Sequence, residues 1–237
     1  MKPDLRELPK VRDSLSFVYC EHARIEQDGK ALTALDEAGA THIPAAGLSV
    51  VMLGPGTVLT HAAMKVLADS GCTVLWVGEE GTRIYGMGHG ETRSAKRLLR
   101  QVELHENKAS RAAVVLRMYQ RRFAEPLPAG LTLEQVRGME GVRVRTAYGR
   151  AARENGVEWR GRSYQRGSWG STDPLNRALS GAAACLYGIC HCAIVSVGYS
   201  PGIGFLHTGK MLSFVYDIAD LYRMDLVVPV AFKVAGD

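Results

Sequence analysis

RSAKRLLRQVELHENKASRAAVVLRMYQRRF, residues 93–123, marks the point where the pattern of the chain changes. Its apolar side chains recur about every 3.6 residues, whereas before residue 90 they come in short alternating runs. The stretch predicts a long basic helical segment, one helix or two. EPLPAG (125–130), with two prolines and a glycine, closes it. The expected fold class is therefore α+β: a small N-terminal β-sheet or β-sandwich domain with one helix, residues 1–90, then a larger all-α domain, residues 91–237.

Toward the N-terminus, LSFVYCEHARIEQDGKALTALDEAG (15–39) holds short apolar runs around turn signals. The Asp28-Gly29 pair suits a hairpin turn whose central residues take positive φ. Further strands fit GLSVVMLG (47–54), CTVLWVG (72–78) and TRIYGMG (82–88), and GPGTVLTHAAMKVLADSG (54–71) reads as a turn feeding a helix that stops at Gly71. Gly54 and Gly56 belong to neither GxxxxGK[ST] nor GxGxxG, so a plain turn is expected there. Toward the C-terminus, Thr132 and Gln135 have capping-box spacing and open a helix running toward Asn155. A glycine-rich, tryptophan-bearing loop (159–172) precedes a long helix of small residues, 173–198, which Asp173 caps and Pro174 starts.

With 237 residues, 46% of them apolar, the chain can bury a substantial core. The charged, proline-broken MKPDLRELPKVRDS offers no secretory signal, and no run of about 18 uncharged apolar residues is expected to span a membrane. A cytoplasmic protein without membrane contact is the expectation. Five cysteines do not describe a disulfide framework. Cys185, Cys190 and Cys192, with His191 among them, lack CxxC spacing and a second ligand pair, and are expected to be core. Residues 91–167 carry 17 lysine and arginine against 8 aspartate and glutamate, a surplus of nine that leaves a deficit of four elsewhere. Such a concentration suits a polyanion, nucleic acid first, or a solvated helix face.

Three groups that resist burial interrupt GFLHTGKMLSFVYDIADLYR (204–223): His207, Asp217 and Asp220. On a helix, Phe214, Val215, Ile218, Leu221 and Tyr222 form the apolar face, with the two aspartates three apart beside it. Glu140 breaks another apolar row, Val136, Val144 and Tyr148, between glycines 138 and 141. Those glycines weaken a helix by about 1 kcal/mol each and suggest a close approach. One Glu, one His and one or two Asp make a hard ligand set suited to Mg²⁺ or Mn²⁺. Equally, Glu140 pairs with Arg143 or Arg137 in a structural salt bridge. A divalent ion beside basic surface would point to phosphodiester chemistry.

The segments THIPAAGLSVVMLGPGT, HAAMKVLADSGCTVLWVGEEGTRIYGMG, LEQVRGMEGVRVRTAY, ALSGAAACLYG, VGYSPGIGFLHTGKMLSFVYDIADLYR and VVPVAF together span nearly the whole chain. Across them the protein resembles the CRISPR-associated integrase of the adaptation machinery, in its type I-E form. The resemblance implies an N-terminal β domain and a helical domain with a metal site, in which Glu140, His207 and Asp220 match the metal ligands and Asp217 shapes or assists catalysis. It implies insertion of short DNA fragments into a CRISPR array by attack of a 3′-hydroxyl on a phosphodiester, with accompanying endonuclease activity. The implied partners are double-stranded DNA (prespacer and leader-repeat), a second copy of the chain, and a small ferredoxin-like subunit that completes a heterohexamer. Arg83, Arg137, Arg143, Arg145 and Lys210 become candidate DNA contacts. His22 stands where relatives offer an aromatic ring to the end of the duplex. The family continues past VVPVAF, taken as strand-like, so a truncated C-terminus is expected.

Two other classes compete. A non-catalytic DNA-binding scaffold would use the acidic cluster structurally, and convergence of Glu140, His207 and Asp220 distinguishes it. A metal hydrolase for small phosphate esters leaves the basic middle segment without a use.

Overall fold

A computed structural model describes residues 17–29, 31–79, 84–88, 94–161 and 173–236. The chain divides into two units, one of residues 1–98 with 191–199, the other of 99–190 with 200–237.

The first unit contains two four-stranded sheets. In one, β1 (Phe17–Cys20), β5 (Val50–Leu53), β7 (Thr73–Val77) and β8 (Ile84–Gly88) lie in that order, the first three parallel and β8 antiparallel to β7. In the other the order is β4 (Gly39–Ile43), β3 (Ala31–Asp36), β2 (Arg24–Asp28), β6 (Val58–Leu59). The β2–β3 hairpin pairs Asp28 with Ala31, so the turn begins one residue later than predicted, at Gly29 with φ +60°.

Helix α1 (His61–Asp69) connects β6 to β7. Thr60 caps it by accepting from the Ala63 amide, and Gly71, at φ +70°, follows its end as predicted. Ile25, Leu32, Val51, Leu53, Val74 and Leu67 share one core. Val50, Leu75 and Val77 pack on the opposite face against Cys192 and Val195. Burial on both faces explains why β5 reads VVML rather than alternating. Each valine buried there contributes roughly 1.5–3 kcal/mol.

The second unit is helical. The basic stretch forms two helices, α2 (Lys96–Glu106) and α3 (Lys108–Gln120), the first beginning within the other unit. Asn107 separates them because its side chain accepts from the Ser110 amide and starts the second helix. Helix α4 (Leu133–Glu154) opens on the predicted capping box: Thr132 accepts from the Gln135 amide and the Gln135 side chain accepts in return. Helix α5 (Pro174–Ser196) starts behind Asp173, which accepts from Asn176.

Two readings of the C-terminal region change. The helix carrying Asp217 is only α6 (Ser213–Ala219); it stops at Asp220, and α7 (Arg223–Gly236) begins after a short turn. VVPVAF is helical, not strand-like, with Pro229 inside α7. The reading of no apolar run long enough to span a membrane also fails: α5 meets that criterion by length and composition. Its side chains Leu175, Leu179, Ala183, Leu186 and Cys190 are buried within the protein, as in a core helix. No disulfide joins the cysteines; Cys190 and Cys192 are buried, and burial pushes the Cys190 thiol up to about 11. Burial also lowers the His191 imidazole below its ordinary value.

Candidate functional site

The site is built within the second unit around the 200–212 loop. The side chain of Gln101, 1% exposed, donates to the Ser200 and Ile203 carbonyls at 3.0 and 2.8 Å and accepts from the Ser200 amide at 2.8 Å. His105 Nδ1 bonds the Gly204 carbonyl at 2.8 Å, and Arg111 Nε donates to the Phe205 carbonyl at 3.0 Å. A Cβ on Gly204 would stand 2.3 Å from the His207 carbonyl oxygen. Glycine there admits the chain's own backbone, where the sequence suggested approach to a ligand.

Asp217 is fully buried and turns inward from α6 toward this loop. Its carboxylate accepts from the backbone amides of Phe205, Leu206 and His207. It also meets His207 Nδ1 at 2.8 Å. A carboxylate only accepts, so Nδ1 carries a proton, and the neutral tautomer this fixes is the one whose Nε2 keeps its lone pair. Nε2 stands 3.9 Å from Asp220 Oδ2. Asp217 and Asp220 therefore do different work: the first orients the imidazole and the second faces it.

On α4, Glu140 lies on the predicted row with buried Val136 and Tyr148, its side chain 13% exposed. Arg143 holds it in a bidentate pair, Nε to Oε2 at 2.8 Å and Nη2 to Oε1 at 3.1 Å. The salt-bridge alternative for Glu140 is thus realised with Arg143. Arg122, which follows α3 and is 5% exposed, reaches Glu140 Oε1 through Nη1 at 3.4 Å and Asp220 Oδ2 through Nη2 at 3.8 Å. Burial pushes the Asp220 carboxyl above the ordinary 3.8; Arg122, His207 and Arg223 oppose the rise, and the Asp217 charge adds to it. Beside these groups opens a cleft of about 370 Å³ lined by Arg145, Tyr148, Trp159 and Arg223. Trp159 stacks on Tyr148 with centroids 4.6 Å apart.

Glu140, His207 and Asp220 thus come to one site, but not as a preassembled coordination triad. Among the described residues, no three His, Cys, Asp or Glu groups stand close enough to hold one ion as placed. The Arg122 guanidinium spans the two carboxylates in that role. The donors, two carboxylates and an oriented imidazole, fit a hard divalent ion in their chemistry.

Among the candidate DNA contacts, Arg145 lines the cleft, while Arg137 and Lys210 are exposed. Arg143 is engaged with Glu140. His22 belongs to the first unit, exposed at φ +50°, its amide donating to the Pro55 carbonyl at 2.9 Å. Arg83 lies outside the described residues. Among the described residues, Gly138 and Gly141 have no close backbone neighbour. Gln101 and His105 were missed because no apolar row marks them: Arg97 and Ala109 flank them at intervals of four, and Leu98, Leu99 and Val102 of the same helix are exposed. Arg122 and Arg223 had no local signal either.

The family model for CRISPR associated protein Cas1 matches residues 17–126 and 118–236. The chain belongs to the Cas1 family. A CRISPR-associated endonuclease Cas1 of Thermus thermophilus is 57% identical over 234 residues, which cover 99% of this chain and 72% of that protein. The Cas1 endonuclease of Geobacter sulfurreducens is 45% identical over 235 residues, 99% of this chain and 76% of the relative. The crystal structure of a TtCas1–DNA complex superposes with a TM-score of 0.87 at 56% identity, covering 97% of this chain and 86% of that one.

Proposed function

We propose that this Cas1-family chain is a divalent-metal-dependent DNA endonuclease and integrase of CRISPR adaptation, inserting short DNA fragments into a CRISPR array. The observation that carries the reading is the meeting of Glu140, Asp220 and an oriented His207 beside a cleft lined with arginines. The DNA-bound relative supports the choice of substrate.

In this reading Glu140, His207 and Asp220 hold Mg²⁺ or Mn²⁺, which when bound supplies Lewis-acid assistance to a phosphodiester and to the attacking hydroxyl. The chain's own residues do the rest. Asp217 fixes the imidazole tautomer, Arg143 fixes the Glu140 rotamer, and Arg145 and Arg223 face a phosphate entering the cleft. The 3′-hydroxyl of the incoming fragment forms the new bond to phosphorus as the 3′-oxygen of the target strand departs. Bond number is conserved, and no protein nucleophile is needed. Arg83, Arg137, Lys210 and His22 are assigned as further contacts to DNA. Prespacer and leader-repeat duplexes, a second copy of the chain and a ferredoxin-like subunit in a heterohexamer complete the assembly. The type I-E form and a cytoplasmic location rest on the motif resemblance.

A non-catalytic DNA-binding scaffold is favoured by one observation, the guanidinium already bridging Glu140 and Asp220. Strand transfer into a supercoiled plasmid carrying leader and repeat, with the partner subunit present, separates the two. Mn²⁺-dependent joining that disappears in His207→Ala, with folding and DNA binding retained, supports the integrase. DNA binding without joining by the wild type supports the scaffold.

A further inference from the structure

Arg122 is held in an unusual way for a buried guanidinium. Among the described residues, the only hydrogen bond of its side chain is the 3.4 Å contact from Nη1 to Glu140, while Nε and Nη2 are buried without a hydrogen-bond partner. A well-made arginine–carboxylate pair is bidentate at about 2.7–2.9 Å, and Glu140 has such a partner in Arg143, with contacts of 2.8 and 3.1 Å. Arg122 is therefore retained by charge, between two carboxylates that would otherwise repel, rather than by fitted hydrogen bonds. Its guanidinium also lies over the Tyr119 ring, 5.2 Å from the centroid, and borders the cleft that Arg145 and Arg223 share.

We infer that Arg122 is an exchangeable internal cation: it occupies the Glu140–Asp220 position until a divalent ion takes the two carboxylates, and its guanidinium then turns to a phosphate of nucleic acid in the adjoining cleft. The inference rests on the metal reading above and adds a coupling to it. Without phosphate, displacing Arg122 would leave a buried charge with no partner, so metal binds against that penalty. With phosphate in the cleft, the unpaired Nε–H and Nη2–H gain acceptors and metal binding tightens. By linkage, metal tightens DNA binding by the same factor.

The test is a titration of Mn²⁺, followed through the EPR signal of the free ion, with and without a short blunt DNA duplex, on wild type, Arg122→Gln, Arg122→Lys and Glu140→Ala. In the wild type the duplex should tighten Mn²⁺ binding by about tenfold. Arg122→Gln should bind Mn²⁺ about tenfold more tightly without DNA and lose most of the DNA dependence. Arg122→Lys, which keeps the charge and serves if the glutamine variant is poorly folded, should fall between them. If Glu140→Ala abolishes Mn²⁺ binding while both Arg122 variants behave as wild type, the exchange is wrong and the metal reading stands. If the wild type binds no Mn²⁺ that Glu140→Ala removes, both fall together.

Discussion

At the level of single residues, the two aspartates three apart in YDIAD were equivalent in sequence and are opposite in environment. Asp217 takes three backbone amides and an imidazole N–H with no solvent exposure. Removing its acceptors orphans those donors at about 1–3 kcal/mol each. Asp217→Ala should therefore lower the melting temperature by about 10 °C or more, read by calorimetry, and a drop within about 2 °C would refute the account. Asp220 is the reverse case. Its folded-state carboxyl is raised above 3.8, so the folded state binds the proton more tightly than the unfolded one. The protein gains stability from this group as pH falls through its raised value and loses it as pH rises. In metal-free buffer, Asp220→Asn should melt about 1–3 °C above wild type at pH 7. The gap should narrow as pH approaches 3.8; a gap constant with pH would contradict the linkage. Neither role was readable in the sequence, because both depend on partners brought in by the fold: Asp217 faces a loop about ten residues upstream, and Asp220 meets Arg122.

At the level of elements, the local signals read well. Thr132–Gln135, Asp173–Pro174 and Gly71 set helix ends through groups within a few residues of one another, so the sequence contains the whole interaction. Strands β4 and β6 were missed, since pairing register is set by distant partners. The break between α6 and α7 was hidden by an apolar period that continues across it. The 200–212 loop is the element on which the site depends. It is fastened by Gln101, His105 and Arg111 from α2 and α3, at sequence separations near one hundred. Gly204→Ala would place a methyl 2.3 Å from the His207 carbonyl, with backbone on the other side at Ser213, so the loop must shift. Plasmid joining should fall by about 100-fold, with helical content by circular dichroism retained. Activity near wild type would show that His207 does not need this loop geometry.

At the level of the whole molecule, the charge surplus lies with the site-bearing unit: 18 lysine and arginine against 12 aspartate and glutamate, compared with 11 against 12 in the other. Not all of these cations are free to meet DNA. Arg143 is paired with Glu140 and Arg122 stands between Glu140 and Asp220 until it is displaced, whereas Arg137 and Lys210 are exposed and Arg145 lines the cleft. The composition suited a polyanion partner or a solvated face and did not separate these groups, because a count of arginines is blind to which are already paired. The distinction is measurable. Duplex affinity should fall steeply with salt, and Arg137→Ala, Arg145→Ala and Lys210→Ala should each lower the log–log slope by about 0.9 per lost phosphate contact, with little dependence on sequence. Arg143→Ala should leave the slope unchanged while releasing Glu140 from its bidentate hold, so its effect belongs in the joining reaction instead. Fluorescence anisotropy on one duplex at several salt concentrations reads all four slopes. A reduction in Arg143→Ala as large as in the other three would show that the arginine paired with Glu140 exchanges that carboxylate for DNA phosphate.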